Sequence, residues 1–402
     1  MSASQPLKVL VKSPFSVYSG YGNDGFGMIR ALQRWGCDVY VQPQWVDAPI
    51  PGDLMPIFGK ELRAPFDLLI NHWDPEHLAI TPEARQSVRV AVAWTMWEFA
   101  GGPGRNGRGV SGLVPGCPQR TTLRRRLRWY DMVLGYDPVS LAALEPYIPP
   151  KVHRGILQGG YDAGEWKHVE RDWFGERLGF IMHGALNDRK APWTAIQAFN
   201  ELKFEQGSAF EGATLALHTS FPGKVFPELN VPFAPQKIRV FVEAFDKPTL
   251  DDFYASAHVL LAPSRGEGKN LPALEFQTTG GVVAGTNFGG HTMWINGDYA
   301  YPLDYELAPT FEKVPWGAHD ARVSIETMKQ AIWHIWTHRG EARDKAELAS
   351  RMIPQLCDWS VVIENLFRRI GDQVAGPGPE IAAQAFGCRR QPEPGPSFPW
   401  KR

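Results

Sequence analysis

A twice-repeated alternation of short apolar runs with helical segments constrains this chain more than any single motif. The first series comprises Lys8–Lys12, Asp38–Gln42, Leu68–Asn71, Val88–Thr95 and Met132–Tyr136. The second comprises "GFIMHG", "ATLALHT", "KIRVFVE", "HVLLAPS" and "GVVAGT". Short apolar runs separated by helical stretches suit strands covered on both faces, which is the setting of a parallel sheet. At 402 residues the chain exceeds one ordinary core, so the alternation predicts two domains. The fold class read from this is α/β, with two Rossmann-like, doubly wound parallel sheets facing each other across a cleft. In such sheets ligands sit at the carboxyl ends of the strands.

The segment "GGYDAGEWKHVERDW", Gly159 to Trp173, reads as the crossing between the domains. Residues 1–165 form the expected first domain, 166–357 the second, 358–372 a last helix, and 373–402 a Pro/Gly-rich tail expected to be disordered. Helices are predicted over Asn23–Trp35, Pro192–Phe204, Ile325–Arg339 and Glu341–Met352. Thr249 is placed as the cap of "LDDFYASA", with Asp252 in capping-box position. Asn270 is placed as the cap of "LPALEFQTT", with Pro272 in the first turn and Gly280 just past the end. Ser360 is placed as the cap of a helix through Ile370. "FAGGPGRNGRGVSGLVPGCPQR" reads as a long loop.

Composition is that of a soluble globular protein, and a net charge of −1 gives no global bias toward nucleic acid or membrane. No apolar run approaches the roughly 20 residues of a membrane span, and the start shows no leader pattern. Cys37, Cys117, Cys357 and Cys388 lie far apart, as reduced thiols of a cytoplasmic protein would. They form no metal-ligand spacing.

Gly20, Gly22 and Gly25 satisfy G-x-G-x-x-G, yet the dinucleotide reading is weak. Eight residues, Ser13 to Gly20, follow the strand before the loop's second glycine, and no carboxylate follows Val41 until Asp47. The glycines either let backbone amides approach a ligand or merely turn the chain, and both readings stand.

The stronger signal is "SRGEGKNLPALEFQTTGGVVAG". Glu267 lies in the loop after a strand and Glu275 lies on the following helix. The amides of Asn270 and Leu271 stand at that helix's N-terminus, where unpaired N–H groups and the macrodipole favour an anion such as a diphosphate. The loop carboxylate suits the hydroxyls of a sugar, and the helical one suits a ribose diol. In "HGALNDRKAPWTAIQAFNEL", Arg189 and Lys190 precede a helix. Two cations there would neutralise a departing diphosphate.

On these residues the second half resembles the GT-B fold glycosyltransferases, most nearly the retaining family 4 enzymes. Their E-x7-E signature is matched by Glu267 and Glu275, and their basic pair by Arg189 and Lys190. The usual G-R before that lysine is absent, Gly184 being followed by Ala185. "SGYGNDGFGMIRALQRWGCDVYV" is similar to the family's glycine loop and first helix, giving Gly20 and Gly22 donor-side positions. "DLLINH" resembles the strand that ends in a histidine beside the acceptor, here His72. "WTMWEF" resembles the next strand and places Trp97 and Glu98 at the cleft, and "CDWSVVIENL" resembles the helix that crosses back. The resemblance implies transfer of a sugar from a nucleotide-diphosphate sugar with retention, by a front-face route. It implies no metal and no cofactor beyond the donor. Lys269 stands near the donor phosphate or an acidic donor sugar, or points into water.

The acceptor is open. Arg105, Arg108, Arg120, Arg124, Arg125, Arg126 and Arg128 fall in a stretch without carboxylates between Glu98 and Asp131. They suit an acidic acceptor track for a phosphate-bearing lipid or glycan or for nucleic acid, or simply the solvated face of a helix with Leu123 and Leu127 inside. Two alternatives stay beside the leading reading: a nucleotide-sugar epimerase on the same scaffold, and a non-catalytic scaffold that binds nucleic acid or protein.

Overall fold

The computed structural model describes residues 5–16, 20–47, 49–75, 77–98, 120–219, 238–310 and 318–388. Arg105, Arg108, Cys117 and most of the Gly/Pro-rich loop lie outside the described residues, as do the side chains of Arg120 and Cys388.

The first half runs β1 (Lys8–Phe15), α1 (Gly20–Arg34), β2 (Asp38–Val46), α2 (Met55–Phe58), β3 (Phe66–His72), α3 (Pro82–Gln86), β4 (Val88–Thr95), α4 (Arg120–Leu127), β5 (Met132–Gly135), α5 (Pro138–Leu144) and β6 (His153–Ile156). The second half runs β7 (Leu178–His183), α6 (Pro192–Gln206), β8 (Ala213–Thr219), β9 (Ile238–Val242), α7 (Lys247–Ala255), β10 (Val259–Ala262), α8 (Leu271–Thr278), β11 (Val282–Thr286), β12 (Tyr301–Leu303), β13 (Glu306–Pro309) and β14 (His319–Arg322). Four helices close the described chain: α9 (Ile325–Thr337), α10 (Arg339–Cys357), α11 (Trp359–Gln373) and α12 (Gly378–Cys388).

Among the described residues the strands form two six-stranded sheets, both parallel, and a two-stranded antiparallel ribbon of β13 and β14. The first sheet has the order β2-β1-β3-β4-β5-β6, and the second β12-β11-β10-β7-β8-β9. Each is doubly wound. The winding reverses beside β1 in the first sheet and between β7 and β10 in the second. A crevice opens at such a reversal because the loops leaving neighbouring strands turn to opposite faces.

The central strands are apolar on both faces because helices cover both. Val90, Val92 and Trp94 of β4 point to the face covered by α1 and α11, and Ala91 and Ala93 to the other. Helix α11 follows the second domain but completes the core of the first. Trp359, Val362, Ile363, Leu366, Phe367 and Ile370 repeat at helical spacing and are all buried there. Its start is pinned to the interdomain segment: the Trp359 amide donates to the Tyr161 carbonyl at 3.1 Å, and the Tyr161 amide to Cys357 at 3.0 Å.

Several local expectations are corrected. Helix α1 begins at Gly20, not Asn23, so Gly20 and Gly22 lie in its first turn. Asp246, not Thr249, caps α7, accepting from the Thr249 amide at 3.0 Å. Asp358, not Ser360, caps α11, accepting from the Ser360 amide at 2.8 Å. In both cases the carboxylate upstream outcompetes the hydroxyl for the free amides. The tail expected to be disordered is helical in part. Ile381 and Ala385 of α12 insert into the first core, and Phe386 packs edge-on to Trp35 at 5.3 Å. Flanking prolines and glycines hide this short apolar spacing in the sequence.

Close backbone approach explains two of the α1 glycines. A Cβ at Gly22 would lie 2.2 Å from the Ser16 amide, and one at Gly27 would lie 2.0 Å from the Trp359 indole nitrogen. Gly20 has nothing within 4 Å. Gly27→Ala is therefore expected to destabilise the protein by about 1–3 kcal/mol through overpacking, despite alanine's better helix propensity. Gly20→Ala is expected to be neutral or to stabilise by up to about 1 kcal/mol. Urea midpoints of the two variants, compared with the parent, check this pair of opposite signs.

Candidate functional site

The two loops at the reversal of the second sheet lie side by side. One follows β7 and tightens into a short turn, Asp188–Lys190, where Asn187 accepts from the Lys190 amide at 3.2 Å. The other follows β10 and runs from Pro263 to Asn270 before α8. The Arg265 amide donates to the Arg189 carbonyl at 2.7 Å, and the Arg189 guanidinium donates to the Gly266 carbonyl at 2.6 Å. Further along, the Glu267 carbonyl accepts from the Gly290 amide at 2.7 Å, and the Lys269 carbonyl accepts from the Trp294 indole at 2.9 Å. A loop whose backbone is held this way is fixed before any ligand arrives.

Glu267 is almost fully buried at the centre. One carboxylate oxygen lies 2.5 Å from Lys190 Nζ and the other 3.0 Å from Arg189 Nη1. The same Arg189 nitrogen lies 3.1 Å from Glu98 of the first domain. Two cations and two carboxylates thus balance across the domain boundary. Burial pushes the Glu267 carboxyl up, but Lys190 and Arg189, with His291, overcome that and hold it well below the usual carboxylate range.

Asn270 stands at the N-terminus of α8 with left-handed backbone, φ 60°, and its side chain makes no cap bond. Its amide nitrogen donates instead to His291 Nε2 at 2.9 Å, while His291 Nδ1 faces the Thr286 carbonyl at 2.9 Å. That pattern fixes His291 as the Nδ1–H tautomer, and burial lowers its imidazole to about 4. The Asn270 side-chain oxygen is buried with no hydrogen-bond partner.

Glu275 projects from α8 next to Tyr254 of α7, whose hydroxyl lies 3.0 Å from its carboxylate and 2.8 Å from His183 Nδ1. Burial raises this carboxyl to about 7, with the Tyr254 hydrogen bond and the charge of Lys269 opposing. The two acids of the E-x7-E block therefore have opposite proton affinities: Glu267 has cations in contact and Glu275 has none.

Lys269 does not point into water. It is buried and crosses to the first domain, where it pairs with Asp24 of α1 and donates to the Gly160 carbonyl at 2.5 Å. Asp24 also accepts from the Tyr136 hydroxyl at 2.7 Å. Tyr136 lies 2.5 Å from His72 Nε2, and His72 Nδ1 lies 3.0 Å from the Ser13 hydroxyl. With Tyr136 donating to Asp24, His72 donates from Nε2 and accepts at Nδ1. Burial, with Lys269 adding, lowers this imidazole to about 3, so it stays neutral. His72 is fully buried and both its nitrogens are used within the chain, so it stands one layer behind the cleft surface rather than at it.

Trp97 is buried against Ala143 and Ala318, and its amide donates to Ser140 at 3.0 Å. The domains touch closely here. A Cβ at Gly266 would lie 2.0 Å from the Glu98 carbonyl, and one at Gly268 would lie 1.8 Å from the Met96 sulfur. Gly20 and Gly22 stand at the carboxyl end of β1, at the reversal of the first sheet. The structure thus gathers Arg189, Lys190, Glu98, Glu267, Lys269, Asn270, Leu271 and Glu275 around the two reversals. Arg124, Arg125 and Arg126 lie elsewhere, on α4, which leads back to the amino end of β5.

Sequence reading missed Asp24, Tyr136, Tyr254, His183 and His291. Only the "GGH" after β11 carried a local signal, since Gly289 and Gly290 let that turn approach the Glu267 and Gly268 carbonyls. The others owe their places to strand order. Among the described residues no cluster of three or more histidine, cysteine or acidic side chains is arranged to hold a metal ion. No helix there is long and apolar enough to cross a membrane.

No family model matches the sequence. No curated protein matches it significantly. Solved structures do match over most of the chain. Sucrose-phosphate synthase from Thermosynechococcus elongatus superposes with a TM-score of 0.61 at 14% identity, covering 90% of this chain and 98% of the other. Anabaena HepE in complex with UDP-glucose gives 0.56 at 13% identity, covering 90% and 98%. A glycosyltransferase from Rickettsia africae gives 0.56 at 11% identity, covering 94% and 98%. These likenesses show that the chain has the GT-B fold, with its two Rossmann-like domains and C-terminal helices.

The opposite proton affinities give a test. Glu267 contributes stability that is full above its unfolded value near about 4.3 and is lost as pH falls further. Glu275, raised to about 7 in the native state, makes stability fall as pH rises through the window between its unfolded value and 7. Glu267→Gln is expected to destabilise by about 3 kcal/mol at pH near 7, because it leaves buried Lys190 short of its counter-charge. Glu275→Gln is expected to remove the decline toward alkaline pH and to be more stable than the parent above it. Denaturant titrations across the acid-to-alkaline range read both.

Proposed function

We propose that this chain is a retaining glycosyltransferase that moves a sugar from a nucleotide-diphosphate sugar to an acceptor. The observation that carries the reading is the convergence of Glu267, Lys190 and Arg189 beside the N-terminus of α8, at the reversal of the second sheet. A diphosphate there meets two cations and the first amides of a helix, while a carboxylate stands within reach of sugar hydroxyls. HepE, which shares the fold, is described in complex with UDP-glucose, so UDP-glucose is the first donor to try.

In this reading Lys190 and Arg189 stabilise charge on the leaving diphosphate, with the amides of Asn270 and Leu271. Glu267 orients the donor sugar and holds both cations in place. Glu275 accepts from the ribose diol. Gly20 and Gly22 bring the α1 backbone close to the donor from the first domain, and Trp97 and Glu98 line the acceptor side. Lys269 and His72 act from behind, keeping the first-domain wall in register.

The reaction is a front-face substitution. The bond from the anomeric carbon to the diphosphate oxygen breaks, and the acceptor nucleophile bonds to that carbon on the same face. The acceptor's proton passes to the departing phosphate oxygen, so the configuration is retained and no side chain needs to act as base. Lys190 and Arg189 supply the charge compensation, which makes the route metal-independent.

Calorimetry with UDP-, ADP- and GDP-sugars tests donor binding. One donor is expected to bind, and Glu275→Ala to weaken it by about 10- to 100-fold, the size of a lost charge-assisted hydrogen bond. Lys190→Met is expected to lower the hydrolysis or transfer rate of the folded protein by about 100-fold or more, and to cost about 2–3 kcal/mol of stability because buried Glu267 keeps only Arg189. Absence of binding by every nucleotide sugar would sink the reading, as would a Glu275→Ala variant with unchanged affinity.

A further inference from the structure

Two adjoining cavities lie on the first domain, away from the interdomain cleft. The larger, about 380 Å³, is lined among others by Arg85, Arg128, Trp129, Asp131 and Lys151, with Val374 and Ala375 from the end of α11 closing one side. The smaller, about 210 Å³, adds Arg125 and Arg126 and shares Arg128 and Trp129. Together they make one groove around the Trp129 side chain.

Its place in the fold is set by chain order. Asp131 immediately precedes β5, and Lys151 lies just before β6, so the groove sits at the amino edge of the sheet. The cleft residues sit at the carboxyl edge. Asp131 lies level with Ala91 of β4, and the four-residue β5 separates it from the carboxyl edge by about 13 Å.

The groove's charge is one-sided. Asp131 is the only carboxylate among its described lining residues, and Arg85 already takes both its oxygens at 2.8 Å. Arg125, Arg128 and Lys151 are exposed, and the Arg128 guanidinium lies 4.7 Å from the Trp129 ring centroid. On a chain of net charge −1 such a patch is segregated, not a reflection of overall composition.

Arginines beside an indole offer phosphate forks and a stacking face together, the combination that tracks a single-stranded backbone and its bases. A membrane surface would instead want exposed apolar residues next to the cations. The exposed apolar residues Trp45, Val46, Met55 and Leu62 lie on or near β2, the opposite edge strand of this sheet from β6. Exposed Phe386 of α12 leans on Trp35.

We propose that this groove is a binding site for single-stranded nucleic acid, contacting its phosphodiester backbone through Arg125, Arg128 and Lys151. The distance to the cleft makes it a docking site separate from the donor site. The inference stands on the groove alone and does not require the glycosyltransferase reading.

The test uses the full chain without donor and follows fluorescence anisotropy of a labelled oligothymidylate of about twenty nucleotides. Binding is expected to weaken roughly 20-fold between about 50 and about 200 mM salt, as three neutralised phosphates predict. The variant R125E/R128E/K151E is expected to lose at least about ten-fold in affinity at low salt, with an unchanged thermal midpoint by circular dichroism. Single R125E and K151E variants, both at exposed positions, give the same reading in smaller steps if the triple variant does not fold. No binding at low salt overturns the proposal, as does equal binding by these variants. Preference for phosphatidylglycerol vesicles or polyglutamate over the oligonucleotide assigns the groove to a membrane or an acidic protein and equally overturns it.

Discussion

A carboxylate cannot be buried alone, and the site is organised around that constraint. Glu267 sits almost fully out of water, so it needs partners on both oxygens. Lys190 and Arg189 supply them from the neighbouring loop. The requirement fixes the spacing of the β7 and β10 loops, because the cations reach the carboxylate only if the two turns run side by side. Arg189 also reaches Glu98 in the other domain. A local electrostatic need therefore becomes a tie between lobes.

The second tie has the same logic. Lys269 of the E-x7-E loop also enters the first domain, where Asp24 and the Gly160 carbonyl receive it. Behind Asp24 stand Tyr136, His72 and Ser13, each satisfying the next. The loop between β10 and α8 thus holds one ion pair toward its own domain and one toward its neighbour. Lys190 and Arg189 are already balanced by carboxylates, and the same loop ties the two domains through Lys269.

The two acids of one short motif show how environment, not residue type, sets protonation. Glu267 touches two cations and holds its charge; Glu275 touches a tyrosine and resists it. Tyr254 links Glu275 to His183, whose imidazole burial keeps neutral. Glu275 can accordingly take or give a hydrogen through that hydroxyl.

The sequence by itself determined the two α/β halves, because apolar runs of strand length between helical segments have few other ways to bury both faces. It also marked Glu267, Glu275, Arg189 and Lys190, which lie on two short stretches with recognisable spacing. The last helix was expected through Ile370, and its return to the first domain came only from the family resemblance of "CDWSVVIENL"; the buried spacing from Trp359 to Ile370 shows what that return buries. The caps of α7 and α11 were misplaced by three and two residues, because competition between a carboxylate and a hydroxyl is decided by backbone geometry, whereas Asn270 does stand at the N-cap position of α8. Tertiary structure alone decided the rest. Asp24 and Lys269 are 245 residues apart, and Tyr136 and Asp24 112 apart. No local pattern announces such pairs, since strand order and the docking of two domains bring them together. The same holds for the basic groove: the arginines were visible in the chain, but whether they faced the cleft depended on where α4 delivers them, at the amino edge of the sheet.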